Sequence, residues 1–305
     1  MKIYAPTYYK RFKCIADKCR HSCCIDWEID IDQKTLEKYR EIGSKIEGKI
    51  DFGEQCASMR LNEDGRCPFL CESGLCSIIL EYGEAYLSDI CREHPRFFNR
   101  VGNRVEVGLG LVCEEAARLI LGDDEPFLLE EIGESEDDTD VDTDYEEALI
   151  IRDKIISYLD DSGVKFEEAL AHISKEYDVK CDFYTFAEWC DIFLDLECLD
   201  PEWHNIIAEA NISSNTPFSQ DCDSFYIRLL KYLVYRHVGV SENYLNLRAR
   251  LGFSLLCADF VRRIAEREPG TTFERICDIS RMLSSEIEYS EDNTASLIFE
   301  FESEL

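Results

Sequence analysis

The sequence predicts a mainly helical α+β protein, in which a cysteine-rich N-terminal domain with short strands precedes an all-helical C-terminal domain. Three observations predict it. Ten of the sixteen cysteines lie in the first 113 residues, residues 123–147 carry fourteen acidic side chains and no basic one, and helical periodicity dominates from residue 148 onward. These features set the expected boundaries: a cysteine-cluster metal-binding domain over 1–122, an acidic linker over 123–147 and a helical domain over 148–305.

In the first segment short elements alternate with turn signals. Leu36, Tyr39, Ile42 and Ile46 recur at helical spacing over Asp32–Ile46. Met59-Arg60-Leu61 followed by Asn62-Glu63-Asp64-Gly65 reads as a strand ending in a turn. Val105, Val107, Leu109 and Leu111 alternate as in a strand, and Glu114–Leu121 reads as a short helix stopped by Gly122. The Asp/Glu/Ser/Thr-rich second half of the acidic stretch should repel itself into an extended linker. Beyond it, 3.6-type periodicity predicts helices over Tyr145–Asp160, Phe166–Tyr177, Phe183–Leu199, Cys222–Val238, Asn243–Glu268 and Phe273–Tyr289. Gly239 suits a C-terminal stop, and Thr271 with Glu274 has capping-box spacing.

Net charge is −31 over 305 residues. It is almost balanced over residues 1–122, with 18 basic and 20 acidic side chains, and strongly negative afterwards. No basic footprint exists to hold a phosphate backbone, which argues against nucleic-acid binding. A basic protein surface is the better partner for such a field. The first residues contain no apolar run of secretory length, and charges recur throughout. The expectation is a cytoplasmic chain with neither signal peptide nor membrane span.

In a reducing compartment, clustered thiols point to metal binding or catalysis more than to disulfides. Cys14, Cys19, Cys23 and Cys24 form C-x4-C-x3-C-C; Cys67, Cys71, Cys76 and Cys91 form C-x3-C-x4-C-x14-C. One-turn spacing lets several thiolates converge on one point, which suits zinc, copper(I) or an iron–sulfur cluster. The paired C-x2-C knuckles usual for zinc are absent, as is ferredoxin spacing with its trailing Cys-Pro. What remains is an irregular set compatible with one 4Fe–4S cluster plus spare thiols, or with two metal sites. Of the five histidines, His21 and His94 lie inside these motifs and suit ligation or hydrogen bonding to sulfur. The later cysteines, Cys181, Cys190, Cys198, Cys222, Cys257 and Cys277, stand singly among apolar neighbours and read as core thiols. No catalytic triad, P-loop or H-E-x-x-H is present, and Gly108-Leu109-Gly110 lacks the context of a dinucleotide site.

Four N-terminal stretches, Cys14–Trp27, Cys67–Cys76, Cys91–Arg96 and Cys113–Leu121, resemble the flagellin lysine N-methylase family, itself related to a broader group of zinc- or iron-chelating cysteine-cluster proteins. Tyr232–Val238 (YLVYRHV) and Glu286–Asn293 (EIEYSEDN) resemble the family's C-terminal motifs. The resemblance implies an enzyme that transfers methyl groups from S-adenosyl-L-methionine to lysines of flagellin and depends on a 4Fe–4S cluster. A non-catalytic zinc- or iron-binding protein is the rival. Carried over by position, the metal-binding set is Cys14, Cys19, Cys23, Cys24, Cys67, Cys76, Cys91 and Cys113. Cys71, Glu114 and Tyr289 depart from the family pattern. No motif marks a catalytic base or a donor-binding residue, and nothing in the sequence fixes the oligomeric state.

Overall fold

The computed structural model describes residues 1–53, 56–135, 146–161, 163–212, 222–267 and 270–305. The chain forms two compact units, residues 13–97 and residues 1–12 joined with 98–305. The division therefore runs through the segment expected to be one domain over 1–122. The reason is a sheet: strand β1 (Lys2–Pro6) pairs with strands that follow residue 100, so both ends of that segment belong with the helical unit.

The unit of residues 13–97 is small and built on turns. Strands β2 (Asp30–Ile31), β3 (Ile50–Phe52) and β4 (Ala57–Met59) form an antiparallel sheet in the order β2-β4-β3, with Asp30 opposite Ser58 and Ile50 opposite Met59. The helix expected over Asp32–Ile46 is two helices, α1 (Gln33–Ile42) and α2 (Ser44–Glu47), because Gly43 between them has φ of 85°. That conformation is open to glycine and breaks the ladder. Asp32 caps α1 by accepting from Thr35 N–H at 2.9 Å. Its other oxygen accepts from Asp89 N–H at 2.9 Å, which ties α1 to α4 (Asp89–Glu93). Helix α3 (Ser77–Tyr82) precedes α4. Ile29, Ile31, Leu36, Tyr39, Ile46, Ile50, Met59, Phe69 and Ile78 make the core, with Cys67 among them.

In the larger unit, β5 (Arg96–Val101) turns through Gly102 into β6 (Arg104–Leu109). β7 (Leu129–Glu134) completes a four-stranded sheet of order β5-β6-β1-β7 among the described residues. β1 runs parallel to β6 and antiparallel to β7. The first half of the acidic stretch is thus an edge strand, neutralised in part by Lys2 with Glu131 at 2.7 Å and Lys10 with Glu130 at 2.8 Å. Residues 136–145, where the linker expectation rests, lie outside the described residues.

The helices are α5 (Glu114–Leu121), α6 (Glu146–Leu159), α7 (Phe166–Glu176), α8 (Phe186–Asp195), α9 (Pro201–Ile212), α10 (Asp223–His237), α11 (Tyr244–Ala265), α12 (Phe273–Leu283) and α13 (Glu291–Glu304). The α+β class with a helical C-terminal part is as expected. Two details differ. Thr272, not Thr271, caps α12, its hydroxyl accepting from Arg275 N–H at 3.3 Å. The helix expected over Phe183–Leu199 is confined to Phe186–Asp195, opened by a Thr185–Glu188 capping box. Helix α11 is buried along most of its 22 residues and packs against α10, α12 and α13. Gly252 on α11 admits Phe301 of α13 so closely that a Cβ there would lie 2.3 Å from the ring. Among the described residues no helix is long and apolar enough to cross a membrane.

Candidate functional site

Backbone pairing in the 13–97 unit carries Cys24 to Cys67. Ile25 bridges Arg66, Asp26 N–H donates to Gly65 O at 2.9 Å, and Cys67 N–H donates to Cys24 O at 2.8 Å. Cys67 opens a turn closed by Leu70 N–H to Cys67 O at 3.0 Å; Leu70 then bridges Cys76, the N-cap of α3. Cys91 projects from α4. Cys24, Cys76 and Cys91 are partly buried against the same small core that holds Cys67.

The four thiols feel one another. Burial, with smaller contributions from charge at Cys24, Cys91 and Cys76, pushes Cys67 up to about 12 against the opposing hydrogen bond from Phe69 N–H. Cys76 and Cys91 are likewise raised, first by burial and then by charge at Cys24. Tyr39, buried beneath them, is raised by burial and then by Cys91, Cys76 and Cys67. Cys24 goes the other way, to about 7, because Cys23 and Ser22 hydrogen-bond to it and Arg66 lies near, outweighing its burial. Thiols buried against one apolar core resist ionisation unless a cation supplies the compensating charge.

Cys14 is exposed and its sulfur accepts from Ala16 N–H at 3.4 Å; Cys19 donates to His21 O at 3.3 Å. The loop carrying them lies against the Cys71–Cys76 turn, since a Cβ on Gly74 would stand 3.3 Å from Asp17 Cα. Burial pushes His94 down to about 4, leaving a neutral imidazole. Among the described residues no group of three or more His, Cys, Asp or Glu side chains is drawn close enough to hold an ion. In donor chemistry the set of Cys24, Cys67, Cys76 and Cys91 fits a thiophilic metal or an iron–sulfur cluster: it is all sulfur, half-buried and positioned by main-chain hydrogen bonds.

Cys113 belongs to the larger unit. It is the N-cap of α5, close enough to Tyr289 for its charge to raise that phenol, whose main upward push is burial. Tyr289 leads to a polar cluster that sequence reasoning left without a role. The two C-terminal motifs meet there. Tyr232 donates to Glu288 at 3.0 Å and accepts from Arg236 at 2.8 Å, while His237 Nε2 lies 2.7 Å from Glu288. Leu111 N–H donates to the Tyr232 hydroxyl at 3.3 Å. A Cβ on Gly110 would sit 2.3 Å from the Tyr289 oxygen, so the glycine just after β6 serves close packing. Glu288 ends a π-turn, Ser284–Glu288, that continues α12. The available signal was charge inside apolar helices, Arg236-His237 in YLVYRHV and Glu288 in EIEY.

This cluster gives the larger unit a defined acid response. Burial alone would raise the Glu288 carboxyl, but Arg236 and His237 outweigh it and hold it at about 2 against an ordinary 4.5. Burial depresses His237 from 6.5, more than Glu288 raises it. Both groups bind protons more readily when unfolded, so each lowers stability as pH falls. Loss should begin below 6.5 through His237 and continue between 4.5 and about 2 through Glu288. The carboxylate accounts for on the order of 3 kcal/mol. Thermal unfolding across pH should show both branches, with Glu288→Gln flattening the lower one. A midpoint that climbs on acidification from 6.5 to 4 would contradict the arrangement.

No family profile and no solved structure matches the chain. Curated proteins do. A lysine-N-methylase of Salmonella typhimurium strain LT2 is 31% identical over 139 residues, covering 41% of this chain and 34% of that protein. A lysine-N-methylase of Salmonella choleraesuis strain SC-B67 is 29% identical over 138 residues, with the same coverage. The match therefore spans about a third of the length of these relatives. The flagellar biosynthetic protein FliU of Salmonella muenchen is 30% identical over 139 residues, which is 80% of its length. With that coverage, the chain belongs to the flagellin lysine N-methylase family.

Proposed function

We propose that the protein is an S-adenosyl-L-methionine-dependent lysine N-methyltransferase acting on flagellin, with a 4Fe–4S cluster held by thiols of the 13–97 unit. The observation that carries the reading is the set of Cys24, Cys67, Cys76 and Cys91 around one buried core, in a chain related to proteins named lysine-N-methylase and FliU. Cys14, Cys19 and Cys23 complete the proposed ligand pool of that unit; Cys113, at the head of α5, belongs to the larger unit and stands outside it. Zinc in the same thiols, without catalysis, is the rival, because an all-sulfur donor set suits either.

When bound, the cluster would supply iron open to electron transfer or to a ligand. The protein's own part is separate. A lysine ammonium has a pKa near ~10.4, so the attacking amine must be desolvated or must give its proton to an acceptor. The acidic surface after residue 122 suits the capture of a basic substrate segment.

Anaerobically purified protein should be brown, with about four irons and four sulfides per chain. Incubated with S-adenosyl-L-methionine and unmodified flagellin, it should add mass to lysines in single-methyl steps. Colourless protein holding only stoichiometric zinc, and leaving flagellin unmodified, would replace this reading with the non-catalytic one.

A further inference from the structure

Ser88 is the N-cap of α4 and is fully buried. A serine in that position ordinarily turns its hydroxyl toward the first amide groups of the helix. Here it makes no cap hydrogen bond, and Asp32 takes the Asp89 N–H instead at 2.9 Å. The Ser88 carbonyl accepts from Arg92 N–H at 2.9 Å, so the backbone serves the helix while the hydroxyl is spare. That hydroxyl completes no hydrogen bond. A buried donor left in this state is costly and calls for an explanation.

The group beside it is a thiol. Ser88 and Cys91 are the N-cap and the third residue of α4, positions whose side chains meet in a capping box. The hydroxyl stands near enough to the Cys91 sulfur to favour its thiolate, against the burial that opposes it. The other three thiols on this core each have donors of the same kind. Phe69 N–H serves Cys67, the Ile78 and Ile79 N–H groups of α3 serve Cys76, and the Ser22 hydroxyl serves Cys24. Ser22 is already engaged, since its oxygen accepts from Cys24 N–H at 3.3 Å. Of these donors, Ser88 is the buried side chain with no other bond to make.

We infer that Ser88 is a positioning residue of the thiol site, its Oγ–H donating to the Cys91 sulfur when that sulfur is a metal-bound thiolate. A neutral thiol is a weak acceptor and a thiolate a strong one, so the hydroxyl gains its partner as the sulfur becomes an anion. The Cys91 proton leaves to solvent when the metal binds, and the hydroxyl keeps its own. The bond fixes the direction of the ligand and draws charge from it, as groups behind metal ligands do. The inference rests on ligation by these thiols, and not on which metal they hold or on methyl transfer.

Cobalt(II) is the probe, titrated into the full-length chain after chelation and followed by its thiolate-to-cobalt absorption. Ser88→Ala should weaken cobalt binding by about 10–100-fold, the usual effect of removing a group that hydrogen-bonds a ligand. Ser88→Thr and Ser88→Val separate the hydroxyl from packing, because they fill the same space and only the first keeps the O–H. The first should bind cobalt at least about tenfold more tightly than the second. A sulfur without its hydrogen bond holds its electrons less tightly. The charge-transfer band should therefore move to longer wavelength in Ser88→Ala and Ser88→Val and stay in place in Ser88→Thr. Circular dichroism identifies a variant that has lost its fold, and Ser88→Ala, the smallest change, decides the matter if the bulkier pair fails. Wild-type affinity and band position in Ser88→Ala would overturn the inference, as would equal values in the Ser88→Thr and Ser88→Val pair. Wild-type protein that binds cobalt but leaves flagellin unmodified would sink methyl transfer and leave this inference standing. Wild-type protein that takes up no cobalt overturns the thiol site and this inference together.

Discussion

Arg152→Met is expected to lower the stability of the larger unit by about 3–5 kcal/mol, because it strands a buried carboxylate. Arg152 on α6 and Glu106 on β6 both have side chains with no exposed surface. The guanidinium meets both carboxylate oxygens, one through Nη1 and the other through Nη2 at 3.1 Å. It also donates to Asp153 from Nε at 3.0 Å and Nη2 at 2.8 Å, and lies over the Tyr235 ring at 5.5 Å. Burial works against the charged arginine, but Glu106 and then Asp153 outweigh it, so its pKa is raised. Removing the cation leaves the desolvation of Glu106 uncompensated, apart from Arg104 beside it. Glu106→Met together with Arg152→Met should recover much of the loss, since two apolar side chains need no partner. Urea unfolding followed by circular dichroism measures both. A single-variant loss below ~1 kcal/mol would mean that water reaches the pair in solution. The pair also matters for position: β6 is held to α10 by Tyr235 to Val107 O at 3.3 Å and by Tyr232 at Leu111, next to Arg236 and His237.

The helical half of this fold was legible because its apolar residues repeat at the helical period, as α7 and α10 show within a residue or two. α9 and α13 escaped notice, although α9 buries Trp203, Ile207 and Ala210; α13 follows a π-turn that blurs its phase with α12. The strands β1 and β7 were not legible, since each is made by a partner more than 120 residues away; Lys2 pairs with Glu134. An acidic run reads as linker until the lysines opposite are known. In the candidate site, residue type and spacing marked the thiols. They could not show that a hydrogen bond from Cys67 to Cys24 joins the two groups, or that Cys113 sits at the head of α5 beside Tyr289. That information lies in backbone pairing between loops, which has no period. The capping residue of α12 illustrates the same limit at short range: Thr271 and Thr272 offer the same hydroxyl, and the backbone path into the helix chooses the second.

Stripping metal from the protein is expected to unfold the 13–97 unit and spare the helical one. The smaller unit has short strands, helices of ten residues or fewer and a core of few side chains, four cysteines among or against them. A fold of that size gains little from burial alone, and metal binding by thiolates then becomes folding energy. In comparable zinc-stabilised peptides that energy is about 10–16 kcal/mol. Limited proteolysis after chelation should therefore cut within residues 13–97 while α10–α13 persist. Serine at Cys24, Cys67, Cys76 or Cys91 should cause most of the metal to be lost. Cys67→Ser should be the most severe, because Cys67 is 6% exposed and its sulfur has the least water to replace a lost ligand. Cys14→Ser, at an exposed site, should lose less, and Cys56→Ser, also exposed, should lose none. Cys190→Ser places a hydroxyl in the helical core and should lower stability without changing metal content. If metal falls equally at Cys56, Cys190 and Cys67, the loss reports misfolding in general. If the stripped protein resists protease across 13–97, the unit folds on its apolar core and the four thiols serve another purpose.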